Sequence, residues 1–179
     1  MNITLIGYRG TGKSTVARWI AGRLGWNWID ADECVEKLAG CSIREVFERE
    51  GESGFRDRES TVIRDLLTQD RVVIAAGGGS ILRPENRLAI KRSTMAVWLT
   101  ASVELIAKRI ASDASTAERR PALTDVGGVK EIRRLLELRE PLYRECAGLI
   151  IDTDQCSPEQ VADVIVRAFK AMSQSTTME

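Results

Sequence analysis

Nine consecutive residues, Gly7-Tyr8-Arg9-Gly10-Thr11-Gly12-Lys13-Ser14-Thr15, carry the clearest chemistry in the chain. They satisfy G-x-x-x-x-G-K-[ST]. The glycines let the backbone curl so that successive N–H groups point inward at phosphate oxygens. A helix opening near Lys13 adds the positive end of its dipole. Lys13 is then expected to reach the β and γ phosphates and the Ser14 hydroxyl to ligate Mg²⁺, with Gly10, Thr11, Gly12 and Thr15 completing the nucleotide contact. A dinucleotide loop is excluded, because Gly10-Thr11-Gly12 lacks the third glycine of G-x-G-x-x-G.

Three further groups stand out, two of them where short apolar runs end. Asp30 and Asp32 are two carboxylates one residue apart. One can support Mg²⁺ through water while the other addresses a hydroxyl, although either can instead cap the next helix. Arg56 and Glu59 lie at i and i+3 on one helical face, which as spacing alone is also the pattern of a surface ion pair. Gly77-Gly78-Gly79 follows a third apolar run and permits close backbone approach by a ligand.

The absence of histidine among the 179 residues excludes Ser-His-Asp and Cys-His catalysis and His-containing metal sites. Lysine plus arginine balance aspartate plus glutamate at 26 each. That balance argues against a nucleic-acid partner held by counterion release and against a polybasic membrane binder. The four cysteines have no metal or redox spacing. The opening MNITLIGYRG reads as strand and loop, and no run approaches ~18 apolar residues. A cytoplasmic monomer is expected.

The elements that must position these groups can be read from periodicity. Strands are expected at Ile3 to Ile6, Trp26 to Ile29, Val72 to Ala75, Met95 to Leu99 and Leu149 to Ile151. Helical faces are marked by Val16, Ile20 and Leu24, and by Val161, Ile165, Ala168 and Phe169. Ser42 with Glu45 forms a capping box, and Ser157, Pro158 and Gln160 a second start signal. Strand and helix alternate throughout, which predicts an α/β fold with a five-stranded parallel sheet flanked by helices on both faces. Residues 113–128 are polar and aperiodic, as functional loops often are. The tail 173–179 is expected to be disordered.

Beyond these local readings, the order of motifs resembles that of the shikimate kinase family over nearly the whole chain. The matching segments are Gly7 to Ser14, Asp30 to Asp32, Gly54 to Glu59, Gly77 to Gly79, Arg120-Pro121, Leu138 to Tyr143 and Asp152 to Pro158. The resemblance implies a P-loop kinase of nucleoside-monophosphate-kinase-like type, one domain over 1–172. A helical segment at about 31–68 would bind substrate and a lid would span about 113–128. The implied activity is ATP-dependent phosphorylation of the 3-hydroxyl of shikimate, with Mg²⁺. By the same resemblance Asp32 contacts the acceptor hydroxyls, Arg56 and Arg139 clamp the carboxylate, and Gly78 lends a backbone contact. Glu59 would orient Arg56, Arg120 would be the lid arginine, and Arg109 and Pro158 would flank adenine. Asp30 would support Mg²⁺ through water. Guanidinium suits a carboxylate fork better than ammonium does, which agrees with the clamp.

Three features depart from common members. The loop before Arg120 is longer, so Arg119 could share its role. Ala76 stands where Thr or Ser is frequent, and Asp154-Gln155-Cys156-Ser157 precedes Pro158, making Cys156 a candidate thiol near adenine. Two other readings are another small-molecule P-loop kinase, such as a gluconate kinase, and a nucleotide-binding module without chemistry. Arg139 read without the resemblance is an ordinary solvated helix residue.

Overall fold

A computed structural model describes residues 1–112 and 128–176. Five strands, β1 (Asn2–Ile6), β2 (Asn27–Asp30), β3 (Val72–Ala75), β4 (Thr94–Thr100) and β5 (Leu149–Asp152), form one sheet in the order β2-β3-β1-β4-β5. Every pairing is parallel, with Leu5 opposite Ala75 and Val97, and Asp30 also opposite Ala75. The helices are α1 (Lys13–Leu24), α2 (Ala31–Ala39), α3 (Ile43–Leu67), α4 (Pro84–Ser93), α5 (Val103–Ser112), α6 (Gly128–Cys146) and α7 (Pro158–Thr176).

The period-2 alternation of strand side chains feeds two apolar layers. Ile3, Leu5, Val73, Ala75, Val97 and Leu99 face α1 and α7, where Val16, Ile20, Val161, Ile165 and Phe169 pack. Ile6, Val72, Ile74, Ala96 and Trp98 face the opposite layer, built from α2, α3, α4 and α6 around Val35, Ile63, Ile90 and Tyr143. Both faces of the central strands are therefore covered, as a parallel sheet requires. Each fully buried Ile or Leu contributes roughly 1.5–3 kcal/mol by leaving water. Among the described residues, no helix is long and apolar enough to cross a membrane.

Local signals act as their chemistry dictates. Ser42 and Glu45 close a reciprocal capping box at the start of α3, and Ser157 and Gln160 do the same for α7. Strand β2 begins one residue later than the apolar run suggests. Trp26 is drawn out of the strand, its N–H bonded to the Ala21 carbonyl and its ring set edge-on to Phe169 at 5.2 Å. Helix α7 runs on to Thr176, past the Met172 boundary expected from the polar tail, with the Ser173 hydroxyl bonded back to the Phe169 carbonyl at 3.0 Å.

Helix α3 is two segments meeting at Gly51, whose φ of 68° and ψ of −174° is a conformation open mainly to glycine. That break re-aims the second segment so that Phe55, Arg56 and Glu59 turn inward and are buried. At the carboxyl ends of β1, β2, β3 and β5 stand residues 7–12, Asp30 with Asp32 at the β2–α2 junction, Ala76 to Gly79, and Thr153 to Pro158. In an open α/β sheet that edge is where ligands bind.

Candidate active site

The loop of residues 7–12 owes its shape to glycines that nothing larger could replace. Gly7 has φ 141°, and a Cβ built on it would stand 2.4 Å from the Leu99 carbonyl oxygen of β4. Lys13 is buried, and its ammonium donates to the Gly7 and Tyr8 carbonyls at 2.9 Å each. The Ser14 hydroxyl donates to Asp30 Oδ2 at 2.6 Å, while Asp30 Oδ1 accepts the Asp32 N–H at 3.0 Å. Asp30 is thus the N-cap of α2 and the orienter of Ser14 at once. The two readings of its carboxylate are compatible.

These groups line a cavity of about 570 Å³ that also holds Gly10, Thr11, Gly12, Thr15, Asp32, Arg109 and Pro158. Arg109 donates to the Gly10 carbonyl and the Thr153 hydroxyl at 3.2 Å each, tying the phosphate loop to the end of β5. Cys156 lies in the same wall and is exposed. Buried Cys146, by contrast, has its thiol pushed up to about 11 by desolvation.

A second, narrower cavity adjoins the first and is lined by Tyr8, Phe47, Phe55, Arg56, Glu59 and Arg139, among others. Arg56 is 8% exposed and Glu59 1%, so the i, i+3 pair is interior rather than a surface bridge. Arg56 NH1 donates to Glu59 Oε2 at 2.7 Å, and Nε and NH2 donate to Glu52 Oε1 at 3.3 and 3.0 Å. Carboxylates on both flanks leave one N–H on each terminal nitrogen uncommitted to either partner, since a guanidinium carries five donors. Burial pushes the Glu59 carboxyl above its usual range, against the pull of Arg56, Arg139 and Arg83. Arg139 is likewise 7% exposed, not a solvated helix residue. It donates to the Gly78 carbonyl at 3.4 Å, and the Tyr143 hydroxyl donates to the same oxygen at 2.5 Å.

The triple glycine now has a reason at each position. A Cβ on Gly77 would lie 2.7 Å from Glu59 Oε1 and 2.8 Å from Asp32 Oδ1, one on Gly78 would lie 3.3 Å from the Arg9 nitrogen, and one on Gly79 would lie 2.4 to 2.6 Å from the Arg56 guanidinium. Glycine here lets two carboxylates, a guanidinium and the phosphate loop converge on one strand end.

The structure therefore gathers Gly10, Thr11, Gly12, Lys13, Ser14, Thr15, Asp30, Asp32, Arg109 and Pro158 around one cavity, and Arg56, Glu59 and Arg139 around the other, with Gly78 in both walls. Arg119, Arg120 and Pro121 lie outside the described residues. Tyr8, Tyr143 and Glu52 were not anticipated. The Tyr8 ring has the Arg9 and Arg139 guanidiniums within 5.9 and 5.8 Å of its centroid, and burial raises its hydroxyl pKa against both charges. Tyr143 stacks on Trp98 at 5.6 Å. A tyrosine inside the phosphate-loop pattern and one in Leu138 to Tyr143 were the available signals, and neither specifies a partner.

Comparison with known proteins agrees with this geometry. A model of the shikimate kinase family matches residues 9–170. A shikimate kinase from Rhodopirellula baltica is 42% identical over 167 residues, covering 93% of this chain and 89% of that one. The structure of a shikimate kinase from Acinetobacter baumannii in complex with shikimate superposes with a TM-score of 0.88 at 38% identity, covering 95% of this chain and 93% of that one. A gluconokinase from Sinorhizobium meliloti, at 14% identity and a TM-score of 0.62 over 99% and 95% of the two chains, shares the fold alone.

Proposed function

The chain belongs to the shikimate kinase family, and on that premise we propose how its residues divide the work of an ATP-dependent shikimate kinase. The larger cavity takes ATP and the narrower one takes the ring acid, whose 3-hydroxyl is phosphorylated. The observation that carries this division is the wall of Gly78 shared by the two cavities, with the phosphate loop on one side and paired guanidiniums on the other. Arg56, held between Glu52 and Glu59, and Arg139 clamp the carboxylate as forks. Phe47 and Phe55, stacked at 4.8 Å, give the ring an apolar face.

In the transfer step a bond forms between the acceptor oxygen and the γ-phosphorus while the bond to the bridging oxygen breaks. ADP leaves with that electron pair, and the hydroxyl proton departs toward the Asp32 carboxylate. Such a transition state is loose, so catalysis rests on in-line positioning and on neutralising charge. Asp32 orients the hydroxyl, Lys13 neutralises the phosphate oxygens, and Arg120 is assigned as the lid arginine. Gly10, Thr11, Gly12 and Thr15 cradle the phosphates, and Arg109 and Pro158 flank the base.

Ser14 and Asp30 fit Mg²⁺. A hydroxyl and a carboxylate are the hard oxygen donors it prefers, and its remaining positions are commonly filled by water and phosphate. Among the described residues no cluster of three or more Cys, Asp or Glu side chains could hold a metal, which suits an ion that arrives with its nucleotide. Ser14 would ligate it directly and Asp30 through water. When bound, it supplies positive charge to the β and γ oxygens. Residence in the cytoplasm as a monomer completes the proposal, together with the lack of a nucleic-acid or membrane partner, which the balanced total charge supports.

Asp32→Asn tests the assignment. Turnover should fall by about 10²-fold or more while ATP binding stays near that of the parent. Normal turnover would remove Asp32 from the reaction.

A further inference from the structure

Arg9 is one of four residues of the phosphate loop that the pattern leaves unspecified, and its placement is unlike that of any other charged group described. Three residues, Arg9, Ile43 and Gly78, line both cavities. Arg9 is the only one of them that carries a charge. Its backbone nitrogen lies against Gly78, 3.3 Å from where a Cβ would be. Its guanidinium stands 5.9 Å from the Tyr8 centroid, on the ring that Arg139 also approaches.

The chemistry around Arg9 is unbalanced. Arg56 is held by two carboxylates, whereas Arg9 forms no ion pair among the described residues. Its Nε is shielded from solvent without a partner in hydrogen-bond geometry there, and the polar side chain interacting with the guanidinium is the neutral Tyr8 hydroxyl rather than a carboxylate. Shielding a guanidinium without an anionic acceptor is unfavourable. A group retained at that cost in a cleft calls for an anionic partner. Two anions meet at this junction in the reading above, the substrate carboxylate and the γ-phosphoryl group. Arg56 and Arg139 already serve the first.

We propose that Arg9 is a further catalytic residue, whose guanidinium neutralises the phosphoryl group as it crosses from the nucleotide cavity to the acceptor cavity. The proposal rests on the assignment of the two cavities to ATP and shikimate. Lys13, buried at the root of the loop and tied to the Gly7 and Tyr8 carbonyls, serves the nucleotide side. Arg9 serves the transfer itself. The interaction strengthens as charge spreads onto the equatorial oxygens, so it should act on turnover more than on binding of either substrate.

The test is Arg9→Met, which keeps an unbranched chain and removes the charge, with Arg9→Lys as a second variant that keeps a point charge without the fork. Turnover, separate dissociation constants for ADP and shikimate, melting temperature, and binding of ADP with Mg²⁺, aluminium fluoride and shikimate would be measured. Arg9→Met should lower kcat by about 10²-fold with both ground-state constants within about threefold, and should weaken the aluminium fluoride complex in parallel with kcat. Arg9→Lys should recover part of the loss. Retained kcat overturns the proposal, and so does a loss confined to shikimate affinity or one shared equally by ground-state and aluminium fluoride complexes. Should Arg9→Met lower the melting temperature, Arg9→Lys decides by the same criteria. Arg139→Lys is the control for the premise: an unchanged shikimate constant in that variant means that the cavity assignment has failed, whatever Arg9 does.

Discussion

Arg139 illustrates what one head group must do. Its position is set by the Gly78 carbonyl at 3.4 Å, an oxygen that Tyr143 also holds, and burial leaves it little room to choose another partner. Lysine at 139 keeps the charge but loses the planar fork. Arg139→Lys should raise the KM for shikimate about tenfold or more, the equivalent of one charge-assisted hydrogen bond, and leave the KM for ATP near its parent value. Equal effects on the two constants would remove Arg139 from the carboxylate clamp. Lys13 and Ser14 can be named from residue type and spacing alone, because phosphate and metal chemistry admit few alternatives, whereas the choice of Asp32 and Arg56 rests on the family resemblance, since a carboxylate pair and an i, i+3 ion pair have other uses. Glu52 could be named from neither. It becomes a partner of Arg56 only once both lie on the helical segment that Gly51 re-aims.

Among the elements, the turn after β3 does the most positioning with the least side chain. Gly79 lies flat against the Arg56 guanidinium, so a methyl group there meets the end of a flexible side chain rather than backbone. Arg56 can swing away, and the fold should tolerate the change while the clamp does not. Gly79→Ala should therefore raise the KM for shikimate several-fold with a melting temperature close to that of the parent. A large fall in melting temperature with an unchanged KM would show that the glycine serves packing instead. Strand alternation, the two capping boxes and the five-strand order of elements were readable beforehand, since each follows from local periodicity or a cap. The break at Gly51, the late start of β2 at Asn27 and the continuation of α7 to Thr176 were not. The late start of β2 goes with a tertiary contact, Trp26 against Phe169, whereas the break is a backbone choice at one glycine and the extra turn of α7 a local hydroxyl bond, neither of which side-chain periodicity encodes.

At the level of the whole molecule, a neutral total conceals a cavity with Arg9, Arg56 and Arg139 against a single buried carboxylate, Glu59. With no histidine in the chain, an acid limb of activity needs another titrating group, and Glu59, raised chiefly by burial, is placed to supply it. Protonation removes the charge that holds Arg56 NH1. The kcat/KM for shikimate at saturating ATP should therefore fall as pH descends through the raised value. The stability contribution of the same residue runs the other way. It is complete below the ordinary carboxyl value of about 4.3 and lost as pH rises through the raised one. Glu59→Gln should abolish the acid limb, and the parent should gain stability relative to this variant toward low pH. An acid limb that persists unchanged in the variant would assign it to a different group.

As a shikimate kinase, this chain transfers the γ-phosphoryl group of ATP to shikimate rather than to water or to another polyol. A coupled assay with Mg²⁺, ATP and shikimate, run beside a gluconate control and with the product's phosphorylated position determined, measures that directly. One ADP should be released per shikimate phosphorylated at the 3-hydroxyl, with negligible turnover on gluconate. ATP hydrolysis without a phosphorylated acceptor, or preferential phosphorylation of gluconate, would contradict it.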